Sequence, residues 1–353
     1  MTITCSRREE FREDWDDFVC GHPEGTFFHL WGWRNVLSES FGYEPYYICA
    51  EEMGTVVGVL PLFLVRSYLF GRSLITIPMG VYGGPLAINE AAEGALLSKA
   101  EDLLQRTHAR YLEVRGNPYR QSELNFPQLR GGNQYARKDL YVTFIGEIGP
   151  TSEANLARIP RKQRRMIRQG QKYGLNATFD NGRLDEWYAI YAASVKNLGT
   201  PVYSYRYFKK LLGQFNDRCK VLLIDHGSKP VAGVVSFFFK DQVLPYYGGA
   251  LRDCFHLAPN DFMYWELLSY GAANNYRVFD FGRSKQGTGS FDFKRHWGFE
   301  PRPLTYWYRC RNGLAVPDTS PLNPKLQWAI RIWKNLPLPV TMGLGPVIAR
   351  HLP

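Results

Sequence analysis

The chain has 353 residues, of which 45% are hydrophobic and 15% aromatic. That is long for one domain and sufficient for two packed cores, so a disordered chain and a small disulfide scaffold are both excluded. The formal net charge of +10 points to a phosphate-bearing or otherwise anionic partner without specifying nucleic acid.

Cys5, Cys20, Cys49, Cys219, Cys254 and Cys310 lie far apart, with no close pair to hold zinc, so they read as reduced thiols and no metal is expected. Met1 to Phe11 is polar and charged, unlike a secretory signal. The apolar run 56–65 has ten residues, where a spanning helix needs about twenty. A cytoplasmic location is expected, with the inner face of a membrane as the alternative that the C-terminal segment raises.

In chain order, Ser6 and Glu9 read as a capping box opening a helix with Phe11, Trp15 and Phe18 on one face. The aromatic stretch 26–33 leads into a second helix ending near Phe41. Strands are expected over 47–51, 56–65 and 74–77, with turns at Gly54 and Gly71. Tyr82-Gly83-Gly84-Pro85 then breaks the sheet, a helix covers 91–108, and Tyr111 to Arg115 is a strand.

The second half repeats this order. Strands are expected over 219–225, 231–239 and 243–247, Gly248-Gly249 repeats the glycine break, a helix covers 261–274, and 276–281 is the matching strand. Val57 and Ala232, Tyr82 and Tyr247, and Glu113 and Asp280 are 175, 165 and 167 residues apart. Three matches in one order indicate an internal duplication.

Between the copies lie a strand over 141–145, one long basic helix over 153–173 stopped by Gly174, and helices over 184–196 and 205–216. From Arg158 to Lys172 there are seven basic residues and no acidic one. The domains expected are 1–150, 151–315 with the basic linking helix, and an amphipathic tail over 316–353.

Tyr-Gly-Gly, a helix, Asp280-Phe281-Gly282, then Phe293-Lys294 and Trp297-Gly298-Phe299, together with the basic segment 159–168, resemble the FemAB-type transferases, relatives of the GNAT acyltransferases. The tail around Trp333-Lys334-Asn335-Leu336 is similar to the subgroup associated with exopolysaccharide and PEP-CTERM systems. The resemblance implies an α/β fold of mixed-sheet layers, with tandem duplicated GNAT-like domains about a central cleft. It also implies transfer of an acyl or aminoacyl group to an amine, from charged tRNA in the best known members. There is no long helical hairpin insertion of the kind some tRNA-using members carry.

Such transfer needs a positioned amine, a route for its proton and donors to the developing oxyanion. Lys294, between Phe293 and Trp297, is the first choice for a cation neutralising a phosphate or the charge leaving the donor, and the resemblance points to the same position. Asp280 either caps a loop or orients the amine. Arg283 either forks to phosphate or carboxylate, or pairs with Asp280 or Asp292. His296 is a candidate for proton transfer, with simple packing as its alternative.

Tyr247 either presents its hydroxyl to substrate or is a sheet aromatic before a turn, and Tyr82 is its counterpart in the first copy. Asn260 either caps a helix or touches ligand. Ser284 and Trp297 complete the expected substrate contacts. The loop 282–289 matches neither the P-loop nor the dinucleotide motif. Residues 251–260, where a GNAT domain carries its coenzyme A turn, contain no glycine, which disfavours that carrier. Arg161, Arg164, Arg165 and Arg168 spread over more than one helix face, as a surface for tRNA, a pyrophosphate or lipid headgroups, or as a merely solvated face.

In the tail, Leu326, Ala329, Ile330, Trp333 and Leu336 share a helical side, for packing on the protein or on a membrane surface. Pro337 and Pro339 end that helix, and 338–349 is too short and glycine-rich to span. The expected function is an N-acyltransferase acting on an amine of a cell-envelope or exopolysaccharide precursor, without a covalent enzyme intermediate. Charged tRNA or an acyl thioester is the donor co-substrate, and no tightly bound cofactor is expected. A thioester-dependent amino-sugar acyltransferase and a non-catalytic polysaccharide-assembly adaptor are the alternatives. Sequence-specific DNA binding is not expected, since the basic helix lacks a helix-turn-helix setting.

Overall fold

The structure, a computed structural model, describes residues 1–6, 11–120, 124, 126, 135–311 and 324–352. The chain forms two compact units: Met1–Tyr141 with Pro303–Thr319 and Arg350–Pro353, and Val142–Arg302 with Ser320–Ala349.

The first unit begins with β1 (Thr2–Ser6), α1 (Arg12–Gly21), α2 (Gly32–Phe41), β2 (Glu44–Glu52), β3 (Thr55–Ser67), β4 (Gly71–Ile75) and β5 (Leu86–Ala87). It continues through α3 (Glu90–Arg106), β6 (Tyr111–Arg115) and the first half of β7 (Ala136–Glu147). The second unit holds the rest of β7, then α4 (Ser152–Arg158), α5 (Arg161–Lys172), β8 (Leu175–Phe179), α6 (Leu184–Leu198) and α7 (Tyr205–Phe215). β9 (Cys219–His226), β10 (Lys229–Phe239), β11 (Gln242–Ala250), α8 (Pro259–Ala273), β12 (Val278–Asp280), β13 (Ser284–Lys285) and α9 (Gly289–His296) follow. The last elements are β14 (Pro301–Cys310), most of it in the first unit, and α10 (Pro324–Asn335) and α11 (Leu338–Ala349) in the second.

Both units follow one plan. In the first, β2, β3 and β4 form an antiparallel meander, α3 crosses over, and β6 returns parallel to β4. In the second, β9, β10 and β11 form the meander, α8 crosses over, and β12 returns parallel to β11. Strand burial explains the choice of elements: β3 is buried from Val57 to Val65, and β10 from Val231 to Phe239. Residues covered on both faces read as apolar runs, not as alternation.

The glycines of β11 play a different part from the one expected. Gly248 and Gly249 do not break the strand, which runs on to Ala250. A Cβ on Gly249 would stand 2.8 Å from Ser194 Cβ of α6, while one on Gly248 would face Tyr264 of α8. Successive residues of a strand face opposite sides, so helices pack on both faces, and Gly249 is the closest approach.

Four other local expectations are corrected. A strand, β1, precedes the first helix; Ser6 belongs to it, Glu9 lies outside the described residues, and α1 has no side-chain cap. The basic helix is two helices, because Pro160 cannot donate to the ladder and keeps Ile159 before it extended, at ψ 133°, so that Pro160 becomes the N-cap of α5. The segment 338–349 is itself helical, with prolines near its start, where an N–H is dispensable, and Pro346 inside. Leu304 and Tyr306, on the part of β14 that belongs to the first unit, are buried there, so residues 303–311 do not continue the second core.

The C-terminal helices pack on α6: Trp333 is buried, and Gly345 lies against the backbone of Val202, where a Cβ would come within 2.8 Å of the carbonyl oxygen. The side chain of Leu326 lies outside the described residues. On the other face, Trp328, Ile332, Leu344 and Val347 are exposed.

Candidate active site

In the second unit the sheet opens where its two parallel strands end. β11 and β12 pair over Gln242–Val278 and Val243–Phe279 and then part. Past that point, a Cβ on Gly282 would lie 4.0 Å from the carbonyl oxygen of Pro245. The carboxyl ends of parallel strands are where open α/β sheets take ligands.

Phe279 and Phe281 point into the core shared with α8, so Asp280 between them faces the other side of the strand. Asp280 is fully buried. Its Oδ1 accepts the hydroxyl of Thr143 at 2.7 Å and the backbone N–H of Gly282 at 2.9 Å. The second bond needs the chain to turn sharply after the strand, and Gly282 provides this at φ 69°.

Lys294 reaches this turn from α9. The helix begins at Thr288, whose hydroxyl accepts the N–H of Phe291, and Phe291, Phe293 and Trp297 pack against the core. That anchoring buries Lys294 to 9% exposure. Its Nζ donates to the carbonyl oxygens of Gly282 at 2.9 Å and Arg283 at 3.2 Å. Burial pushes the ammonium down to about 7, with Asp280 holding it up in part and Arg283 lowering it further. Lys294 therefore changes charge near neutrality.

Other expected residues fall around this centre or away from it. Ser284 is buried two residues beyond Gly282, and its Oγ has no hydrogen-bond partner. Arg283 is exposed at the mouth of the turn. His296 is exposed on the last turn of α9. Trp297 is core, in edge contact with Phe281 and Tyr264. The hydroxyl of Tyr247 is bonded to that of Tyr207 at 2.7 Å, within an aromatic cluster with Tyr191, Tyr203 and Phe208. Burial raises the Tyr247 phenol well above its usual value.

Asn260 is not a cap: Ala258, at φ 56°, takes that position, and Asn260 lies half-buried in the first turn of α8. Tyr82 is fully buried in the first unit, against Phe28 and Tyr119. α5 buries Gln163, Ile167 and Gly170 against α8, leaving Arg161, Lys162, Arg165 and Arg168 exposed and Arg164 half-buried. Among the described residues, no group of three or more His, Cys, Asp or Glu is arranged to hold a metal.

Two polar groups were not singled out in the sequence. Thr143 sits in a strand with nothing local to mark it. Asp261, in the first turn of α8, reads as an ordinary partner of the helix dipole. In the fold, burial pushes the Asp261 carboxyl up to about 6, opposed by the Trp297 indole, its own backbone N–H and Lys162. The indole leans toward Asp261 without a hydrogen bond of good geometry, and Oδ1 is left without a partner.

Residues 156–295 match a family model described as an acetyltransferase (GNAT) domain. No curated protein matches the chain by sequence. Among solved structures, FemX is 15% identical with a TM-score of 0.67, covering 88% of this chain and 98% of its own. The C-terminal domain (DUF2156) of an Agrobacterium fabrum protein assigned as a lysylphosphatidylglycerol synthetase is 12% identical with a TM-score of 0.56, covering 86% of this chain and 92% of that one. A tandem GNAT protein from the clavulanic acid biosynthesis pathway is 13% identical with a TM-score of 0.53, covering 89% and 99%. The fold is that of tandem GNAT-like units, and Asp280 and Lys294 lie within the residues that match the acetyltransferase (GNAT) domain model.

Proposed function

We propose that the chain transfers an acyl or aminoacyl group to an amine of a cell-envelope or exopolysaccharide precursor, with Lys294 as the group that takes the amine's proton. The observation that carries this reading is the pair of carbonyl oxygens on Lys294 Nζ. A neutral amine has two N–H donors and one lone pair. The carbonyls of Gly282 and Arg283 engage the two donors, which leaves the lone pair for the third tetrahedral direction. With its ionisation near 7, the lysine can receive a proton at working pH.

In the reaction, the acceptor nitrogen attacks the donor's carbonyl carbon and the C–N bond forms. Its proton passes to Nζ, the ester C–O or thioester C–S bond breaks, and the leaving alkoxide or thiolate takes the proton back from Nζ. The unpartnered Oγ of Ser284 supplies a donor to the substrate. Asp280 holds the turn through Gly282, and Arg283 presents a fork to phosphate or carboxylate at its mouth.

The donor is a charged tRNA or a carrier-bound thioester. Free coenzyme A is disfavoured, because the start of α8 is a poor cradle for pyrophosphate: Pro259 lacks an N–H, and Asp261 places a carboxyl there. The arginines of α5 suit a polyanionic donor. No helix among the described residues is long and apolar enough to cross a membrane. The exposed face carrying Trp328, with Arg331 and Lys334 beside it, suits contact with a membrane surface that carries the acceptor.

Turnover is to be measured with charged tRNA and with acyl thioesters, in the wild type, Lys294→Met and Lys294→Arg. A base at Lys294 makes kcat rise as pH passes about 7, and neither variant turns over with either donor. A rate that falls through the same pH would assign the cation as the active form. Retained turnover in Lys294→Met would remove Lys294 from the chemistry.

A further inference from the structure

The first unit holds a second concentration of charge, unconnected with Lys294. A cavity of about 310 Å³ is lined by Tyr46, Leu64 and Leu103 on its apolar side and by Arg66, Arg72, Arg106 and His108 on its polar side. Arg110 flanks it, its stem filling the space a Cβ on Gly71 would need. Arg311 joins them: its Nη1 meets His108 Nδ1 at 3.1 Å, and its backbone N–H bonds to the Arg110 carbonyl.

The charges in this group do not balance. Glu44 pairs with Arg66 at 2.7 Å and also accepts the Tyr46 hydroxyl. The C-terminal end of α3 contributes about half a negative charge, and Arg72 reaches its Thr107 carbonyl at 3.5 Å. Against these stand five guanidinium groups. The Nε of Arg311 is buried and has no hydrogen-bond partner, although a buried donor is almost always paired. His108 sits at φ 54°, in the left-handed region.

We infer that this cavity is a binding site for a phosphate- or pyrophosphate-bearing ligand, with Arg72 and Arg106 as its principal contacts and Arg311 supporting them through His108. Guanidinium groups match phosphate oxygens two at a time. Leu64 and Leu103 take the organic part of the ligand. A volume of this size lies at the small end of ligand sites, enough for a diphosphate with a short attached group. The ligand is either a soluble phosphate compound or the headgroup of an anionic lipid. The inference stands whether or not Lys294 is catalytic.

The test is calorimetric titration of the whole protein with inorganic pyrophosphate, and co-sedimentation with phosphatidylglycerol vesicles against phosphatidylcholine vesicles. Arg72→Gln with Arg106→Gln should weaken binding about tenfold or more, through lost charge-assisted bonds, and Arg311→Gln should weaken it less. Lys229→Gln, at an exposed position of β10 in the second unit, should leave it unchanged. Arg72→Lys with Arg106→Lys, which keeps the charge, should retain part of the affinity and checks that the fold is intact. Pyrophosphate binding identifies a soluble ligand, and vesicle binding alone, if it depends on Arg72, identifies a lipid headgroup. Absence of both, or binding indifferent to Arg72, Arg106 and Arg311, overturns the assignment.

Discussion

The hydroxyl of Thr143 donates to Oδ1 of Asp280 across 2.7 Å, and the same oxygen accepts the N–H of Gly282. One buried carboxylate thus ties β7 to β12 and fixes the turn whose carbonyls hold Lys294.

Thr143→Val keeps the shape and removes the donor. A hydrogen bond to a charged group contributes about 1.5–3 kcal/mol, so a loss of about 2 kcal/mol is expected in urea denaturation. Thr143→Ser should recover most of it. A valine variant as stable as the wild type would mean that the bond contributes nothing measurable.

Lys294 links stability to pH. Its folded value of about 7 lies below its ordinary 10.5, so between these values the unfolded chain binds more protons than the folded one. Stability from this group is therefore complete above about 10.5 and falls as pH drops toward 7, by about 1.4 kcal/mol per unit within the window. Lys294→Met removes that slope, so the stability difference between wild type and variant should shift in the wild type's favour from pH 7 to pH 10. A difference that stays constant with pH would contradict the buried, readily deprotonated lysine.

Tyr207 and Tyr247 share a buried hydroxyl–hydroxyl bond of 2.7 Å. Tyr207→Phe removes that partner from the buried Tyr247 hydroxyl, at a cost of about 1–3 kcal/mol, and the cost should shrink when Tyr247 is also phenylalanine. A double-mutant cycle should show this coupling. Turnover of Tyr247→Phe should match the wild type, since its hydroxyl is engaged inside the aromatic cluster.

The neighbouring glycines of β11 should respond differently to alanine. At Gly249 the new methyl would meet Ser194 at 2.8 Å, and α6 must shift, at about 1–3 kcal/mol. At Gly248 the nearest atom is 3.4 Å away, an ordinary contact. Thermal denaturation should therefore separate Gly249→Ala from Gly248→Ala.

Much of this was legible in the residues. Tyr111–Arg115 is a strand to the residue, because a short segment with Tyr111 and Val114 between a helix end and Gly116 has few alternatives. Asp280 was legible as part of a strand and residues 282–289 as a loop, whereas the helix that carries Lys294 was not. What the sequence withheld depended on neighbours far along the chain. Gly248-Gly249 looks like a turn until α6 and α8 are in place, and nothing local to Thr143 marks its bond to a residue 137 positions away. The burial of Lys294, which sets its proton affinity, comes from the packing of Phe291 and Trp297 on either side. The arginines at 66, 72, 106, 110 and 311 are scattered in sequence and gather only because the ends of β3, α3 and β14 meet the starts of β4 and β6.

The closing residues of the described chain carry one more consequence. After α11, the carbonyl of Arg350 accepts the Tyr43 hydroxyl at 3.0 Å, and that of His351 accepts the Ser67 hydroxyl at 2.9 Å. The polypeptide thus starts in the first unit, leaves it, returns for β14, leaves again for α10 and α11, and comes back. No single cut yields either half whole: residues 1–141 alone would lack the strand that pairs with β6. The two units are therefore expected to be expressed and unfolded as one indivisible piece, even though both follow one plan.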